Sequence, residues 1–309
     1  MQLAQLNIAQ LRQPMDHPDT REFAEALGPI NALADAAPGF VWRLQTQDGD
    51  ATALRPLPDP QTIINLSVWD SPTALADFVF RSSHTPFLRR RSEWFSPQQR
   101  PHAVAWWVDH GHLPTVEEAL GRLAFFTQHG ASPYAFGVSK PAGRLAIRRV
   151  SLDSDQQQSV HARTLIEELN RELSAMYPEP GSTFFTLDPD QVKGCNGVFL
   201  VAELEDVAIA CGAFRVLGDE AGSAEIKRMF VRPAARGLKV GAAVLSELEQ
   251  YARTFGVQRM VLETGVRQAS ALTVYTRAGY EPCSCWGGYV HAPLSRCFHK
   301  ELSAKERSQ

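Results

Sequence analysis

The sequence VRPAARGLKVGAAVL (residues 231–245) carries the strongest local signal in this chain of 309 residues. A polar loop runs here directly into a helix whose apolar residues recur at helical spacing. The N–H groups of a first helical turn have no partner within the helix, and the helix dipole favours negative charge there. Arg236 adds a cation, while Gly237 and Gly241 leave space for a phosphate beside the backbone. The pattern predicts a pyrophosphate site at a helix that begins near Leu238.

The surrounding segments predict a mixed, mainly antiparallel sheet. Three apolar runs before the loop indicate consecutive antiparallel strands, preceded by a short strand and a long amphipathic helix. After the loop, the pattern predicts a buried strand, a helix that ends at Gly279 and a closing strand. In chain order these elements occupy residues 144–151, 155–180, 197–204, 207–217, 223–233, 257–265, 268–279 and 291–302.

The glycine loop follows EIKRMFVRP (residues 225–233) and precedes VLETG (261–265) and VYTRAGY (274–280). In this order the segments resemble the GNAT family of acetyl-coenzyme A-dependent N-acetyltransferases, over roughly residues 144–302. The resemblance implies the GNAT acyl-CoA N-acyltransferase fold, with acetyl-CoA as cofactor and two central strands that splay apart. Lys239 stands where the family's signature has its first glycine. A lysine in the first helical turn needs only ordinary helical dihedrals, so we expect the fold to tolerate it, whether its ammonium contacts a phosphate or faces solvent.

The same resemblance implies which residues hold the cofactor. The backbone of three residues on the strand before the loop is expected to pair with the pantetheine arm, and the loop amides to take the pyrophosphate. The cofactor-binding residues are thus Met229, Phe230, Val231, Arg236, Gly237, Leu238, Lys239, Val240, Gly241 and Ala242.

Acetyl transfer to an amine needs a proton acceptor for the amine and a proton donor for the departing thiolate. By resemblance Tyr275 is the general acid, with simple packing beside the sulfur as the alternative. Glu225 is the preferred general base and Glu263 the other carboxylate close to the acceptor; either could instead form a structural salt bridge. Three further side chains are candidates to shape the acceptor pocket, with simple packing around it as the alternative. They are Tyr177, Tyr289 and His291.

The first half of the chain has a different order of predicted elements, β-α-β-β-α-β, which is typical of a ferredoxin-like split βαβ sandwich. Its segments NIAQLRQPMDHP, INALADAAPGFVWRLQ, NLSVWDS, RRRSEWF and WWVDHGHLPTVEEA resemble an uncharacterised bacterial family related to antibiotic-biosynthesis-monooxygenase-like dimeric α+β barrels. This resemblance implies a homodimer through the N-terminal domain. Aromatic and histidine side chains are candidates for a ligand pocket there, or else for the core, the dimer seam and the surface. They are Trp42, His84, Trp106 and His112.

The net charge, the apolar runs and the cysteine spacing argue against several classes of function. The net charge of −3 argues against nucleic-acid binding or attachment to an anionic membrane, and no apolar run is long enough for a membrane span. The five cysteines do not have the spacing of a disulfide framework, which favours ordinary thiols in a cytoplasmic protein. Cys283 and Cys285 could chelate a metal, but no second ligand pair accompanies them, so we predict no metal.

These observations predict an α+β protein of two domains: residues 1–140, ferredoxin-like, for dimerisation or ligand binding, and residues 144–303, a GNAT acetyltransferase of a small-molecule or peptide amine. Two alternatives stay open. The second domain could be an acetyl-CoA sensor with vestigial catalysis, or the first could be an oxygenase-like enzyme that needs no cofactor.

Overall fold

In the computed structural model of the protein, residues 1–81, 85–98, 100–154, 156–179, 187–219 and 222–302 are described. Contacts between Cα atoms divide the chain into two compact units, Met1–Arg144 and Leu145–Gln309. Among the helices in these described ranges, none is both long and apolar enough to cross a membrane.

The N-terminal unit follows the predicted alternation. Its elements are β1 (Gln2–Gln10), α1 (Arg21–Asp35), β2 (Phe40–Arg43), β3 (Thr62–Trp69), α2 (Pro72–Arg81), α3 (Thr85–Trp94), β4 (Ala103–Val108) and α4 (Val116–His129). The strands form an antiparallel sheet in the order β2-β3-β1-β4. The sequence pattern predicts helix between β3 and β4, and the described residues there form α2 and α3.

Local capping fixes where two of these helices begin. Ser71 Oγ accepts a hydrogen bond from the Ala74 N–H (3.1 Å) ahead of Pro72, and Thr115 Oγ accepts one from the Glu118 N–H (3.1 Å). Both hydroxyls satisfy first-turn N–H groups that the helix itself cannot. The core of the unit contains the fully buried side chains of Trp69, Trp106 and Phe136.

The C-terminal unit is built around a larger sheet. Its elements are β5 (Leu145–Arg149), α5 (Gln157–Met176), β6 (Gly197–Leu204), β7 (Val207–Val216), β8 (Ser223–Val231), α6 (Val240–Thr254), β9 (Arg259–Gly265), α7 (Ala269–Arg277), β10 (Glu281–Cys283) and β11 (Ser295–Glu301). The order is β10-β11-β9-β8-β7-β6-β5, with β8 and β9 parallel and the other described neighbours antiparallel. The mixed, mainly antiparallel sheet is therefore confirmed.

The expectation that Lys239 has ordinary helical dihedrals is wrong. Helix α6 begins at Val240, and Lys239 is its N-cap residue in the left-handed conformation, with φ 64° and ψ 15°. A residue with a Cβ is disfavoured there by about 1 kcal/mol because the Cβ approaches the following carbonyl. A glycine at this position would relieve that cost, which is a physical reason for the glycine in the family signature.

The expectation of ordinary thiols is wrong for Cys285 and Cys297, which form a disulfide. The sequence pattern did not predict β10, the short strand that places Cys283 opposite Cys297 and brings Cys285 within reach. The disulfide removes Cys285 from the pair of thiols that could have chelated a metal.

Candidate active site

The parallel strands β8 and β9 separate partway along their length. They pair from Ser223 and Arg259 to Ile226 and Leu262, and their register ends there. Past this point β8 stays paired with β7, and β9 stays paired with β11. A cavity of about 560 Å³ lies at the divergence, lined by residues of α5, β8, β9 and α7 and of the segment before β11. A cleft with apolar walls and a few polar groups is the usual form of a ligand site.

A β-bulge shapes the β8 wall of this cavity. Cys211 pairs with Phe230 and Ala213 with Lys227, so Gly212 faces both Arg228 and Met229. Arg228 takes φ 58° in the bulge. Gly212 is required because a Cβ there would lie 2.5 Å from the Met229 sulfur. Because β8 carries the extra residue, the bulge bends β8 where it lines the cavity.

Of the predicted arm-binding residues, Met229 lies in the bulge, and Phe230 and Val231 follow it. Phe230 and Val231 pair with Cys211 and Ala210 of β7 on one side, while the described pairing with β9 has already ended. The opposite backbone edge of this stretch therefore faces the gap, as an extended ligand paired like a strand would require. Phe230 itself is buried and packs in the core between the sheet and α5.

The loop before α6 has the geometry of an anion cradle. Gly237 and Lys239 both have positive φ, 88° and 64°, and the first intrahelical bond runs from the Ala243 N–H to the Lys239 carbonyl (3.1 Å). The N–H groups of the preceding helical residues, Val240 to Ala242, therefore have no acceptor within α6. A Cβ on Gly237 would meet no described atom within 4 Å, so the loop is open above the backbone. These residues fit a pyrophosphate group.

Arg236 does not present the unpaired cation that the sequence suggested. Its Nη2 donates to both carboxylate oxygens of Glu172 on α5 at 2.7 Å each, and its Nε donates to the Val231 carbonyl at 3.1 Å. These bonds fix the loop against α5 and β8. Leu238 and Lys239 are exposed beside it.

Tyr275 and Glu263 line the same cavity from α7 and β9. Burial raises the pKa of the Tyr275 phenol, and the nearby charge of Glu263 raises it further. Burial also raises the pKa of Glu263, although the Ser295 hydroxyl, which donates to it at 2.5 Å, acts in the opposite direction. The arrangement holds a protonated phenol beside a carboxylate with increased proton affinity, which are the two partners that acyl transfer to an amine requires.

Glu225 is placed differently from the way the sequence suggested. It is fully buried and accepts hydrogen bonds from Arg215 Nε (2.7 Å), Tyr289 Oη (2.8 Å) and Lys227 Nζ (3.4 Å). It is not among the residues that line the described cavities. Its oxygens are thus occupied by protein donors, and Arg215, which sequence reasoning missed, is the principal ion-pair partner at 2.6 Å.

Of the three predicted pocket residues, Tyr177 and His291 line the cavity, whereas Tyr289 is not among its lining residues. The buried Tyr177 phenol accepts the Arg267 N–H at 2.8 Å, which joins the end of α5 to the end of β9. Tyr289 lies in the short helical turn Gly287–Tyr289 and accepts from Lys227 Nζ at 2.7 Å. The third, His291, is exposed at the cavity rim.

The structure brings together only some of the N-terminal candidates. Glu118 accepts from Trp106 Nε1 at 2.9 Å and bonds to His112 Nε2 at 2.7 Å, so these two residues share one carboxylate. Trp42 lies on β2, at the opposite sheet edge from Trp106 on β4, about three strand spacings away. The expected grouping of Trp42 with Trp106 is therefore not formed. His84 lies outside the described residues.

Comparison with known proteins agrees with this geometry. Residues 162–280 match the model of the acetyltransferase (GNAT) family. An IAA acetyltransferase of Azospirillum brasilense is 38% identical over 138 residues, which is 45% of this chain and 88% of that protein. The chain belongs to the GNAT acetyltransferase family. GNAT acetyltransferases use acetyl-CoA as the acyl donor, and the open loop before α6 fits the pyrophosphate of this cofactor.

Three further similar proteins have lower sequence identity to this chain. An uncharacterised N-acetyltransferase of Schizosaccharomyces pombe is 33% identical over 108 residues, 35% of this chain and 64% of that protein. A solved acyl-CoA N-acyltransferase structure from Klebsiella pneumoniae is 26% identical, covering 52% of this chain and 98% of that one, with a TM-score of 0.42. The Thermoplasma acidophilum PaiA N-acetyltransferase, solved with coenzyme A, is 16% identical, covering 51% and 99%, with a TM-score of 0.39.

The N-terminal half matches a different model. Residues 2–149 match a domain of unknown function, DUF3291. This match supplies no activity for the N-terminal unit.

Proposed function

We propose that this GNAT domain transfers an acetyl group directly from acetyl-CoA to the nitrogen of a small-molecule or peptide amine held between β8 and β9. The observation that carries the proposal is the meeting of Glu263 and Tyr275 in one cavity at the divergence of these strands. Acetyl-CoA supplies the activated acyl group. The residues of this chain position the amine, accept its proton and return a proton to the leaving sulfur.

Glu263 is the proton acceptor in this proposal. An alkylamine of pKa about 10.4 is mostly protonated at neutral pH, and its neutralisation at pH 7 costs roughly 4.6 kcal/mol. A buried carboxylate with a raised pKa is a better acceptor than an exposed one, because its own charged form is less stabilised. Glu225, the other candidate base, is held by Arg215 and Lys227, and we assign it the positioning of Tyr289 and Lys227.

Tyr275 is the proton donor. Since burial keeps its phenol protonated, it has a proton to give when negative charge develops on the sulfur. Direct transfer is favoured over an acyl-enzyme because burial raises the pKa of the Cys211 thiol to about 12, and this thiol already donates to the Arg228 carbonyl. A protonated, buried thiol is a poor nucleophile.

The experiment has two parts on the full chain. Calorimetric titration with acetyl-CoA should show saturable binding, and release of the CoA thiol should depend on added amine, with the acetylated amine found by mass spectrometry. Absence of acetyl-CoA binding would reject the cofactor assignment for this chain. Binding without amine-dependent thiol release across a broad amine panel would instead favour a sensor whose catalysis is vestigial.

For the N-terminal unit, we propose a ferredoxin-like domain that joins two copies of the chain. The sheet order β2-β3-β1-β4 and the alternation of strands with helices support this arrangement, and exposed Phe80 and Leu113 offer apolar surface for association. Sedimentation equilibrium of the full chain should give twice the monomer mass. A monomer at all concentrations would reject the dimer.

A further inference from the structure

Arg228 is a buried arginine whose charge the protein leaves largely unmatched. Its side chain lines the cavity between β8 and β9, and the residue is only 8% exposed. Nη1 donates to Asn170 Oδ1 on α5 at 3.0 Å, whereas Nε and Nη2 are buried without a hydrogen-bond partner among the described residues. An arginine guanidinium stays protonated and carries five N–H donors.

Several other arginines of this unit are paired with a carboxylate. Arg232 donates from Nε and Nη2 to Glu168 at 2.8 and 2.7 Å, and Arg215 pairs with Glu225. For Arg228, burial lowers the pKa, and the neighbouring groups that act against this effect are Cys211 and Tyr289, neither of which is a carboxylate. A buried cation without a counter-ion is unfavourable, so its retention indicates a partner that arrives from outside.

The position of Arg228 is fixed by the fold. It occupies the bulge of β8 with φ 58°, a conformation that is disfavoured for a residue with a side chain. Its carbonyl accepts from the Cys211 thiol at 3.3 Å, and Asn170 holds one end of the guanidinium. Arg228 is thereby held at the cavity lining, with two buried nitrogen atoms that have no hydrogen-bond partner among the described residues.

The two walls of the cavity carry opposite charges. Arg228 lies on β8, Glu263 lies on β9, and both line the cavity. A guanidinium recognises a carboxylate through two parallel N–H donors, while Glu263 suits an ammonium group. We propose that the acceptor is an amine that also bears a carboxylate, and that Arg228 binds this carboxylate. This inference rests on the proposed acetyl transfer, because it concerns the acceptor of the same site.

Binding without turnover tests this inference separately from catalysis. A panel of amino acids with α-, β- and γ-amino groups, each beside its amide, is titrated into the full chain with saturating CoA, which has no acetyl group to transfer. At least one acid should bind about tenfold or more tightly than its amide, the size expected for hydrogen bonds to a charged group. Arg228→Gln should weaken that acid about tenfold or more and leave its amide unchanged. Arg228→Lys should fall between.

Arg259→Gln is the matched control. Arg259 pairs with Glu301, and its side chain is 43% exposed, so the variant removes a guanidinium away from the cavity and should leave acid binding unchanged. Thermal melts establish that each variant is folded. If Arg228→Gln does not fold, the ratio of acid to amide affinity in the wild-type chain and in Arg228→Lys still tests whether Arg228 binds the carboxylate.

Equal affinity for acids and amides would overturn the inference, as would equal weakening of both in Arg228→Gln or no binding by any acid. A failure of the proposed function is separate. It would appear as absent CoA binding or absent transfer from acetyl-CoA, while the same acids and amides can still be compared on the protein without CoA.

Discussion

The two sheets of this protein differ in how regularly their strands pair and in whether buried polar side chains near them have hydrogen-bond partners. In the N-terminal sheet, β1 and β3 pair without interruption from Leu3 opposite Trp69 to Gln10 opposite Thr62. The buried indole of Trp69 donates to Ser67 Oγ at 3.0 Å, and that of Trp106 donates to Glu118 at 2.9 Å. The β1–β3 pairing is regular, and the buried tryptophans Trp69 and Trp106 have hydrogen-bond partners. The register shift of this sheet lies at its β2 edge, between Phe40 and Trp42.

The C-terminal sheet has irregular features at the β6–β7 turn, where the register shifts between Ala202 and Glu203 and where Glu205 and Asp206 have positive φ, and a larger group of them around the cavity. Between β7 and β8 there is a bulge, between β8 and β9 the pairing ends, and Arg228 and Lys239 take left-handed dihedrals. Two buried nitrogen atoms of Arg228 have no hydrogen-bond partner in the described part of the chain, and burial raises the pKa of Glu263. Strain and poorly matched charge persist where a function requires them. The comparison therefore supports the divergence of β8 and β9 as the place of the proposed acetyl transfer.

The largest effect is expected at Glu263. Glu263→Gln should lower the rate of acetyl transfer by about 10²–10⁴-fold, the usual contribution of a general base. In the wild-type enzyme the rate should rise with pH as Glu263 loses its proton, at a pH above its ordinary value because burial raises its pKa. The pH–rate profile measures this limb, which the variant should lack. Loss of the limb in Glu225→Gln, with Glu263→Gln unaffected, would exchange the two assignments.

Glu263→Gln should not destabilise the fold. A carboxyl whose pKa is higher in the folded state binds more protons there, so stability falls as the pH rises from the unfolded pKa of about 4.3 through the raised folded value. Glu263→Gln has no ionisable group at this position, so it should not show this fall in stability with pH. The variant should therefore be at least as stable as the wild type at pH 7. Urea unfolding at pH 4 and pH 7 measures it. Instability of the variant at pH 7 would give Glu263 a structural role.

Glu225→Gln should have its main effect on stability. The change leaves Arg215 and Lys227 without their buried partner and should lower the free energy of unfolding by about 3 kcal/mol. Glu168→Gln provides the matched control, since its ion pair with Arg232 is partly exposed and should contribute about 1 kcal/mol or less. Similar small losses in the two variants would mean that Glu225 is not the anchor of this cluster.

In the N-terminal sheet, Trp106→Phe should cost about 2 kcal/mol of unfolding free energy. The phenyl ring is smaller and cannot donate to Glu118, whose remaining partners include His112. Thermal unfolding measures the change, with Trp42→Phe on the partly exposed edge strand as the control of smaller effect. A neutral Trp106→Phe would contradict the view that this sheet depends on satisfied polar groups.

The smallest effect is expected at Lys239. Lys239→Gly should stabilise the protein by about 1 kcal/mol or less, because glycine accepts the left-handed conformation but also gains freedom in the unfolded chain. Lys239→Gln removes the charge and keeps the strained backbone, so it should not stabilise. Comparing their acetyl-CoA affinities separates the role of the ammonium from that of the backbone. A destabilised Lys239→Gly would show that the lysine side chain has compensating contacts.

Much of the C-terminal unit was predictable because its signals are local. Helical spacing and the glycine loop predicted α6 and its anion cradle, while the resemblance to the GNAT family implied a site role for Tyr275, which lines the cavity. The left-handed Lys239 was missed because dihedral angles at one position depend on the turn around it. Glu225 and Glu263 could not be separated from sequence, because burial and the partner Arg215 arise from strands that pair only in the folded sheet. The unmatched state of Arg228 and the disulfide of Cys285 with Cys297 depend in the same way on long-range contacts.

The central claim is that acetyl transfer takes place between β8 and β9 with Glu263 as the proton acceptor. Its most direct test is the pH dependence of amine-dependent thiol release from acetyl-CoA, measured for the wild type and Glu263→Gln. The account predicts a wild-type rate that rises with pH through a single ionisation and a variant whose rate is low and lacks this ionisation. A variant with the wild-type rate and pH dependence would contradict the claim.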